Sequence, residues 1–111
     1  MGDALRLGGY LVNPAEIASH IEAHAAVEAC QVVGAKTRRG ERAVAFVVRR
    51  TGSPIEADAL AAYCRAGLAA FKCPEAIIFL DAFPMAESAN GVKVQRAKLR
   101  AWAAERCVPA D

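Results

Sequence analysis

The sequence lacks the features that place a protein in a membrane, in a secretory pathway or on nucleic acid. Its 111 residues contain no apolar run near 18 residues and no charged-then-apolar leader, so we predict neither a membrane span nor a signal peptide. The formal net charge is only +2 and aromatic residues make up 6% of the chain, which argues against a nucleic-acid-binding surface. We therefore expect a cytoplasmic protein that binds no nucleic acid.

The four cysteines and two histidines are not arranged for a metal site. The chain has four cysteines without Cys-x-x-Cys spacing, at Cys30, Cys64, Cys73 and Cys107. We expect them to be reduced thiols. His20 and His24 lie four residues apart on a predicted helix, which would suit a shared metal ion, but no third ligand accompanies them. We therefore predict no metal site and no cysteine nucleophile.

The apolar pattern predicts one small α+β domain. With 55% hydrophobic and 23% charged residues, a chain of this length can bury one modest core but not two. A short strand pair bent at Gly8-Gly9 leads into Asn13–Glu16, which supplies an N-cap asparagine, a first-turn proline and an N3 glutamate. Ile17, Ile21 and Ala25 then recur at helical spacing.

The middle of the chain predicts a small mixed sheet. Val27–Val33 and Ala43–Val48 are separated by the polar loop Lys36–Glu41, so we expect an antiparallel hairpin. The second run is apolar almost throughout, which places it centrally. A helix with an apolar stripe over Leu60–Phe71 leads to Ala76–Leu80, and a right-handed crossover would make this last strand parallel to the central one. The expected fold is a mixed β-sheet flanked by three helices, with a short N-terminal two-stranded element.

The C-terminal part presents one lysine between a turn and a basic helix. Asn90-Gly91 is a strong turn dipeptide, and the chain has helical composition from Val94 onward, with an apolar face over Leu99–Ala103. Lys93 is thus predicted at a loop–helix junction, from which its ammonium group can reach a phosphate oxygen in another domain. A lysine beside a turn is more often only a solvated charge, so the pattern alone leaves both roles open.

Three motifs spread along the chain form one pattern. They are Asp3–Ile17, in which a glycine pair precedes Pro-x-Glu-Ile; Phe71–Pro74, an aromatic-Lys-x-Pro step; and Asn90–Arg96, followed by Lys98–Arg100. In this order they resemble motifs in the C-terminal domain of the adenylate-forming (AMP-dependent) acyl-CoA synthetases and ligases, of the fatty-acid–CoA ligase type. The resemblance implies that residues 1–111 are the C-terminal lid domain, beginning at the interdomain hinge near Gly2 and Asp3.

The resemblance also implies the chemistry of the first half-reaction. A carboxylic acid, of fatty type, attacks the α-phosphate of Mg-ATP, and Lys93 is the catalytic residue that stabilises the growing charge. ATP, AMP and Mg²⁺ are held mainly by a large N-terminal domain, because no Gly-rich phosphate-binding loop occurs in this chain. That domain is the expected partner, and the lid domain alone is expected to be inactive.

In the second half-reaction that the resemblance implies, the lid rotates and the thiol of CoA attacks the acyl-adenylate. Gly8, Gly9 and Tyr10 would line the passage for the pantetheine arm, since a missing side chain leaves room. Phe71 and Lys72 would contact the CoA nucleotide by stacking and by phosphate attraction.

Two departures from the family pattern leave alternatives open. Val92 separates Gly91 from Lys93, whereas many members place glycine directly before the lysine, so Lys98 remains a second candidate. Glu75 stands where relatives often carry a basic residue, and it would repel CoA phosphates if it faced them. The acceptor could instead be a carrier protein, or the chain could be a stand-alone, non-catalytic interaction module with this fold.

Overall fold

The computed structural model describes residues 4–37, 40–89 and 91–107. These ranges form the strands β1 (Leu5–Leu7), β2 (Tyr10–Val12), β3 (Val27–Thr37), β4 (Gly40–Arg49), β5 (Ala76–Phe79), β6 (Met85–Ser88) and β7 (Gly91–Val94). The helices are α1 (Pro14–Glu22), α2 (Ala57–Gly67) and α3 (Arg96–Cys107), and a 3₁₀ turn spans Ala70–Lys72. No helix within these ranges has the length and apolar character needed to cross a membrane. The predicted hinge residues Gly2 and Asp3 and the turn residue Asn90 lie outside the described residues.

The central sheet has the strand order β3-β4-β5. β3 pairs with β4 in antiparallel fashion, and β5 pairs with β4 in parallel, with Phe46 opposite Ile78. The predicted mixed sheet with β4 in the middle is therefore confirmed. The hairpin loop is shorter than predicted, because Lys36 and Glu41 are paired strand residues and β4 already begins at Gly40.

The strand β4 supplies side chains to both layers of the core. Ala43, Ala45 and Val47 are buried in the cluster formed with α1 and α2. Val44 and Phe46 are buried in the second cluster, together with residues of α3. Successive side chains of a strand point to opposite faces, so a strand covered on both faces is apolar at every position. This explains the continuous apolar run seen in the sequence.

Helix α1 begins as its capping residues predict. The side chain of Asn13 accepts a hydrogen bond of 2.9 Å from the backbone N–H of Ala15, and Ile17 and Ile21 are fully buried. The helix ends at Glu22, so Ala25 lies beyond it and is exposed. The prediction that Ala25 continues the apolar stripe is therefore wrong.

Helix α2 ends earlier than its apolar stripe predicts. Leu60 and Cys64 are buried as expected, but the helix stops at Gly67, and Phe71 belongs to the 3₁₀ turn. Leu68 has extended backbone angles, and its N–H donates to the carbonyl oxygen of Cys64. Phe71 packs partly against the first core cluster from this turn, so an apolar spacing that looks helical is produced by two different elements.

Gly67 is where the end of α2 meets α1. A β-carbon built on Gly67 would overlap Cε1 of the His20 ring. The His20 ring is stacked on Tyr63 with a centroid distance of 4.6 Å, and the Tyr63 hydroxyl donates to the His20 carbonyl oxygen. The ring therefore has little freedom to move aside.

We predict that Gly67→Ala lowers the free energy of unfolding by about 1–3 kcal/mol because the added methyl group overpacks this contact. The sign is informative, since replacing a helical glycine by alanine normally stabilises a protein by roughly 0.5–1 kcal/mol. Urea unfolding of the two proteins measures the difference. In a His20→Ala background the ring is gone, and Gly67→Ala should then be neutral or stabilising. Stabilisation in the presence of His20 would contradict the contact.

The segment around Lys93 is a β-hairpin rather than the predicted turn-rich loop. β6 and β7 form a separate two-stranded antiparallel sheet, and Gly91 at the turn has a φ of +117°, which favours glycine. Lys93 is a residue of β7 opposite Ala86. α3 begins at Arg96 and not at Val94, so the prediction of a loop–helix junction at Lys93 is wrong.

Candidate functional site

Lys93 projects from the hairpin without a bond to the described residues. It is exposed, and its ammonium group makes no hydrogen bond or ion pair within residues 4–37, 40–89 and 91–107. Its strand neighbours Val92 and Val94 point to the opposite face, where Val94 packs against the second core cluster. Strand pairing therefore fixes the backbone of Lys93, and its exposed side chain can contact another molecule or domain.

An open hollow lies between the hairpin and the first two turns of α3. It is lined by Lys93 and Lys98 and by the small residues Ala86, Ala97 and Ala101. Lys98, the second candidate for the catalytic lysine, thus borders the same space as Lys93, although it belongs to a helix. The acidic residue Glu87 lines the hollow as well, so both signs of charge border it. Lys93 is carried by strand β7 of the hairpin, and Lys98 by helix α3.

The glycine pair forms the tight turn between β1 and β2. Gly8 has a φ of +58° and Gly9 a φ of +87°, a left-handed conformation that favours glycine. A β-carbon on Gly8 would lie 3.4 Å from Cβ of Phe71, whereas no atom lies within 4 Å of the corresponding position on Gly9. A side chain on Gly8 would thus touch the 3₁₀ turn, whereas Gly9 faces open space.

The other predicted site residues gather at the same corner. The rings of Tyr10 and Phe71 are stacked with a centroid distance of 4.8 Å, and Nζ of Lys72 lies 5.8 Å from the centroid of the Phe71 ring. Gly8, Tyr10, Phe71 and Lys72 are therefore neighbours, although about sixty residues separate the two motifs along the chain. One face of the Phe71 ring is covered by Tyr10.

Two ion pairs at this side of the molecule were not predicted. Nζ of Lys72 lies 2.6 Å from Oε2 of Glu16, the residue expected to act as the N3 cap of α1. Oε1 of Glu75 lies 3.3 Å from Nε of Arg42. Glu75 is thus already paired with a cation, which weakens the repulsion of phosphates that its position suggests. Both pairs are partly exposed, and exposed pairs contribute roughly 0–1 kcal/mol, so an incoming phosphate can compete for Lys72.

The buried cysteines are not expected to act as nucleophiles. Cys30 and Cys64 are buried free thiols, and burial raises the pKa of the Cys64 thiol from 9.0 to about 11. Burial raises the pKa of Cys30 further and also raises the pKa of Cys73. These thiols are protonated at neutral pH, and the thiolate is the nucleophilic form. The side chain of Cys107 lies outside the described part of the chain.

His20 of α1 and His24, which follows α1, both contact Tyr63 of α2. The Tyr63 ring lies stacked on His20 and edge-on to His24. Nδ1 of His24 accepts a hydrogen bond of 3.0 Å from the N–H of Ala26. No group of three or more His, Cys, Asp or Glu side chains that could hold a metal ion occurs among the residues that the structure describes.

A family model described as the AMP-binding enzyme C-terminal domain matches residues 16–91. The chain belongs to this family. The predicted resemblance is thereby confirmed, and so is the α+β fold of this AMP-binding C-terminal domain. The matched range ends just before Lys93, so the role of that lysine rests on the motif and the geometry around it.

Relatives across 88% of the chain are acyl-CoA synthetases and ligases by name. "Putative acyl-CoA synthetase YngI" from Bacillus subtilis (strain 168) is 39% identical over 99 residues, and "Medium-chain acyl-CoA ligase ACSF2, mitochondrial" from Mus musculus is 33% identical over 99 residues. These matches cover 18% and 16% of the two relatives. The chain thus spans less than a fifth of their length and represents one domain of this enzyme family.

A solved structure shows the same fold. ATP-bound MatB from Rhodopseudomonas palustris superimposes with a TM-score of 0.80 at 35% identity, over 90% of this chain and 20% of MatB. This structural neighbour agrees with the adenylate-forming enzyme class that the three motifs predict.

Proposed function

We propose that the chain is the mobile C-terminal domain of a cytoplasmic, AMP-forming acid–thiol ligase. The parent enzyme activates a carboxylic acid of fatty type with ATP and transfers the acyl group to CoA. The observation that carries this proposal is Lys93, an exposed lysine without a bond to the described residues, on a hairpin that pairs only with itself within the described sheets. Its main partner is the N-terminal domain of the same parent chain, which holds ATP with Mg²⁺ and the acid.

In the first half-reaction, Lys93 reaches into the active site of the N-terminal domain. A carboxylate oxygen attacks the α-phosphorus of ATP while the bond to pyrophosphate breaks, and negative charge grows on the non-bridging oxygens. An ammonium group placed against those oxygens stabilises the transition state more than the ground state. Contact with both the carboxylate and the nucleotide would also hold the reactants in line.

In the second half-reaction, CoA binds at the glycine corner, which is formed by Gly8, Gly9, Tyr10, Phe71 and Lys72. The open space over Gly9 leaves room for the pantetheine arm, and the thiol sulfur attacks the acyl carbonyl while AMP leaves. Lys72 exchanges the Glu16 carboxylate for a phosphate of CoA. The glycine corner and Lys93 lie on separate elements, which suits a domain that rotates and presents different faces in turn. The name of the murine relative supports a medium-chain fatty acid as substrate.

We predict that Lys72→Ala in the parent enzyme raises KM for CoA by about threefold, as expected for a solvated ion pair with phosphate. Adenylation should be unchanged, because CoA takes no part in it. Glu16→Gln should lower KM for CoA, since Lys72 then has no competing carboxylate. Steady-state kinetics with varied CoA measure both effects, with the exposed Lys36→Ala as the matched control. A higher KM in Glu16→Gln would show that the pair itself shapes the site.

The proposed function is tested by carboxylate-dependent ATP–pyrophosphate exchange in the full-length parent protein, across acids of increasing chain length. Exchange with a fatty acid, followed by release of acyl-CoA when CoA is added, is the expected result. Exchange without discharge to CoA would move the acceptor to a carrier-protein thiol or to another nucleophile. No exchange with any acid would favour a non-catalytic interaction module.

A further inference from the structure

Arg96, the first residue of α3, ties the base of the hairpin to the central sheet. Its guanidinium group donates one hydrogen bond of 2.7 Å to Oε1 of Gln31 and another of 2.7 Å to the carbonyl oxygen of Val32. Both acceptors belong to β3, and Arg96 is half-buried. Hydrogen bonds from a charged donor are short and stronger than neutral ones. The two bonds therefore fix the start of α3 to one strand.

Strand β3, to which Arg96 is hydrogen-bonded, belongs to the packed central sheet. β3 is at the edge of the three-stranded sheet and pairs only with β4 within it. Some of its outward backbone groups are satisfied by side chains: the N–H of Cys30 donates to Oε2 of Glu22, and the carbonyl of Val32 accepts from Arg96. Several β3 side chains are part of the buried core, so a bond to β3 ties the start of α3 to the packed core of the domain.

The hairpin has few other attachments. Its strands pair with each other in the described sheets, and its base is closed by a hydrogen bond of 2.8 Å from the N–H of Gln95 to the carbonyl of Pro84. Val94 and Phe83 pack at the margin of the second core cluster. Lys93 is separated from Arg96 by only two residues, so the direction in which Lys93 leaves the domain depends on this junction.

We propose that Arg96 is a positioning residue for Lys93. By holding the junction of β7 and α3 to β3, it sets where the Lys93 ammonium group arrives in the partner domain. This inference rests on the proposed function. Misplacement of a catalytic group by about 1 Å can cost on the order of a hundredfold in rate. Even a small loosening of the Arg96 junction should therefore lower the rate of adenylation.

The first test measures the anchor without any catalysis. Hydrogen exchange of the backbone amides from Val92 to Lys98 is compared between the wild-type chain and Arg96→Ala. We expect these amides to exchange roughly tenfold faster in the variant, because local opening needs fewer contacts to break. Arg50→Ala is the matched control, since Nε of Arg50 also donates to a backbone carbonyl, that of Ala25, at 2.9 Å. Unchanged exchange in Arg96→Ala would overturn the proposal.

The second test measures the two half-reactions in the full-length parent protein. Arg96→Ala should lower kcat of adenylation by about 10- to 100-fold with little change in KM for ATP. Thioester formation from supplied acyl-adenylate should stay within about twofold, because Lys93 does not act there. Arg96→Lys keeps a donor for the Val32 carbonyl and should recover most of the rate, and Gln31→Ala should lie between the two.

A double variant separates positioning from general damage. If Arg96 acts through Lys93, Arg96→Ala should cost less than about twofold in adenylation when Lys93 is already alanine. A further large loss, or an equal loss in both half-reactions, would overturn the proposal, as would full activity in Arg96→Ala. If the wild-type parent shows no pyrophosphate exchange, the proposed function fails, and the hydrogen-exchange result alone decides whether Arg96 anchors the junction.

Discussion

Lys93→Ala in the full-length parent protein is expected to slow acid-dependent ATP–pyrophosphate exchange by about 30-fold or more, which corresponds to roughly 2 kcal/mol of transition-state stabilisation. The physical reason is that the lost ammonium group opposes negative charge that develops mainly in the transition state. The loss should therefore appear in kcat more than in KM for ATP. Transfer of the acyl group from supplied acyl-adenylate to CoA should proceed at the wild-type rate.

The control for this result lies within the same hollow. Lys98→Ala removes a positive charge next to the same space and should cost much less if Lys93 alone reaches the nucleotide. Lys93 is exposed, so Lys93→Ala should leave the urea unfolding curve in place, and a loss of activity then cannot be assigned to unfolding. Exchange that survives in Lys93→Ala but is lost in Lys98→Ala would move the catalytic role to Lys98.

The layout of the central sheet could be predicted because its signals are local and agree with one another. The unbroken apolar run of Ala43–Val47 identifies a strand that is covered on both faces. Asn13 and Pro14 mark the start of α1, and the structure places a capping bond there. At the end of α2 two elements share one apparent apolar stripe, and spacing along the chain cannot distinguish them.

The β6–β7 hairpin was missed because its sequence carries strong turn signals and weak strand signals. The run Met85–Ser88 contains no β-branched residue, and β-branched residues are among the main indicators of strands. The sequence predicts a turn at Asn90-Gly91, but a strand of four residues is too short for a periodicity argument. The hairpin matters for function because it determines which face Lys93 occupies.

The residues of the glycine corner could be proposed from their motifs, but their partners could not. Glu16 and Lys72 are separated by 56 positions, and the sequence gives Glu16 a different local role as a helix cap. Arg96 has the appearance of one more exposed charge on a basic helix, whereas the structure places it in two hydrogen bonds with β3. Such pairings depend on how helices and strands are brought together, which no local pattern encodes.

Phe46 is the residue whose loss should damage the fold most. It is fully buried and is the largest such side chain in the described core. It lies on the face of β4 that packs against Leu99 and Ala103 of α3, and its ring centroid is 6.4 Å from that of Trp102. The same side chain thus joins the central strand to the helix whose first turn carries the hairpin junction.

We predict that Phe46→Ala lowers the free energy of unfolding by about 3–5 kcal/mol, because transfer energy is lost and a cavity remains between β4 and α3. Domains of this kind are commonly stable by only about 5–15 kcal/mol, so the variant should be near its unfolding midpoint on mild warming. Urea unfolding of the variant measures the loss, and Leu11→Ala, at a side chain that is 67% exposed, should change stability by less than about 0.5 kcal/mol.

The activity of Phe46→Ala in the parent enzyme should then differ in kind from that of Lys93→Ala. Both half-reactions should fall together as temperature rises, because unfolding of the domain removes the glycine corner and the hairpin at once. Lys93→Ala slows only adenylation, and it does so at every temperature. A Phe46→Ala variant that loses less than about 1.5 kcal/mol would contradict the packing of α3 on β4, since even the smaller Leu→Ala and Ile→Ala core truncations cost about 2 kcal/mol or more.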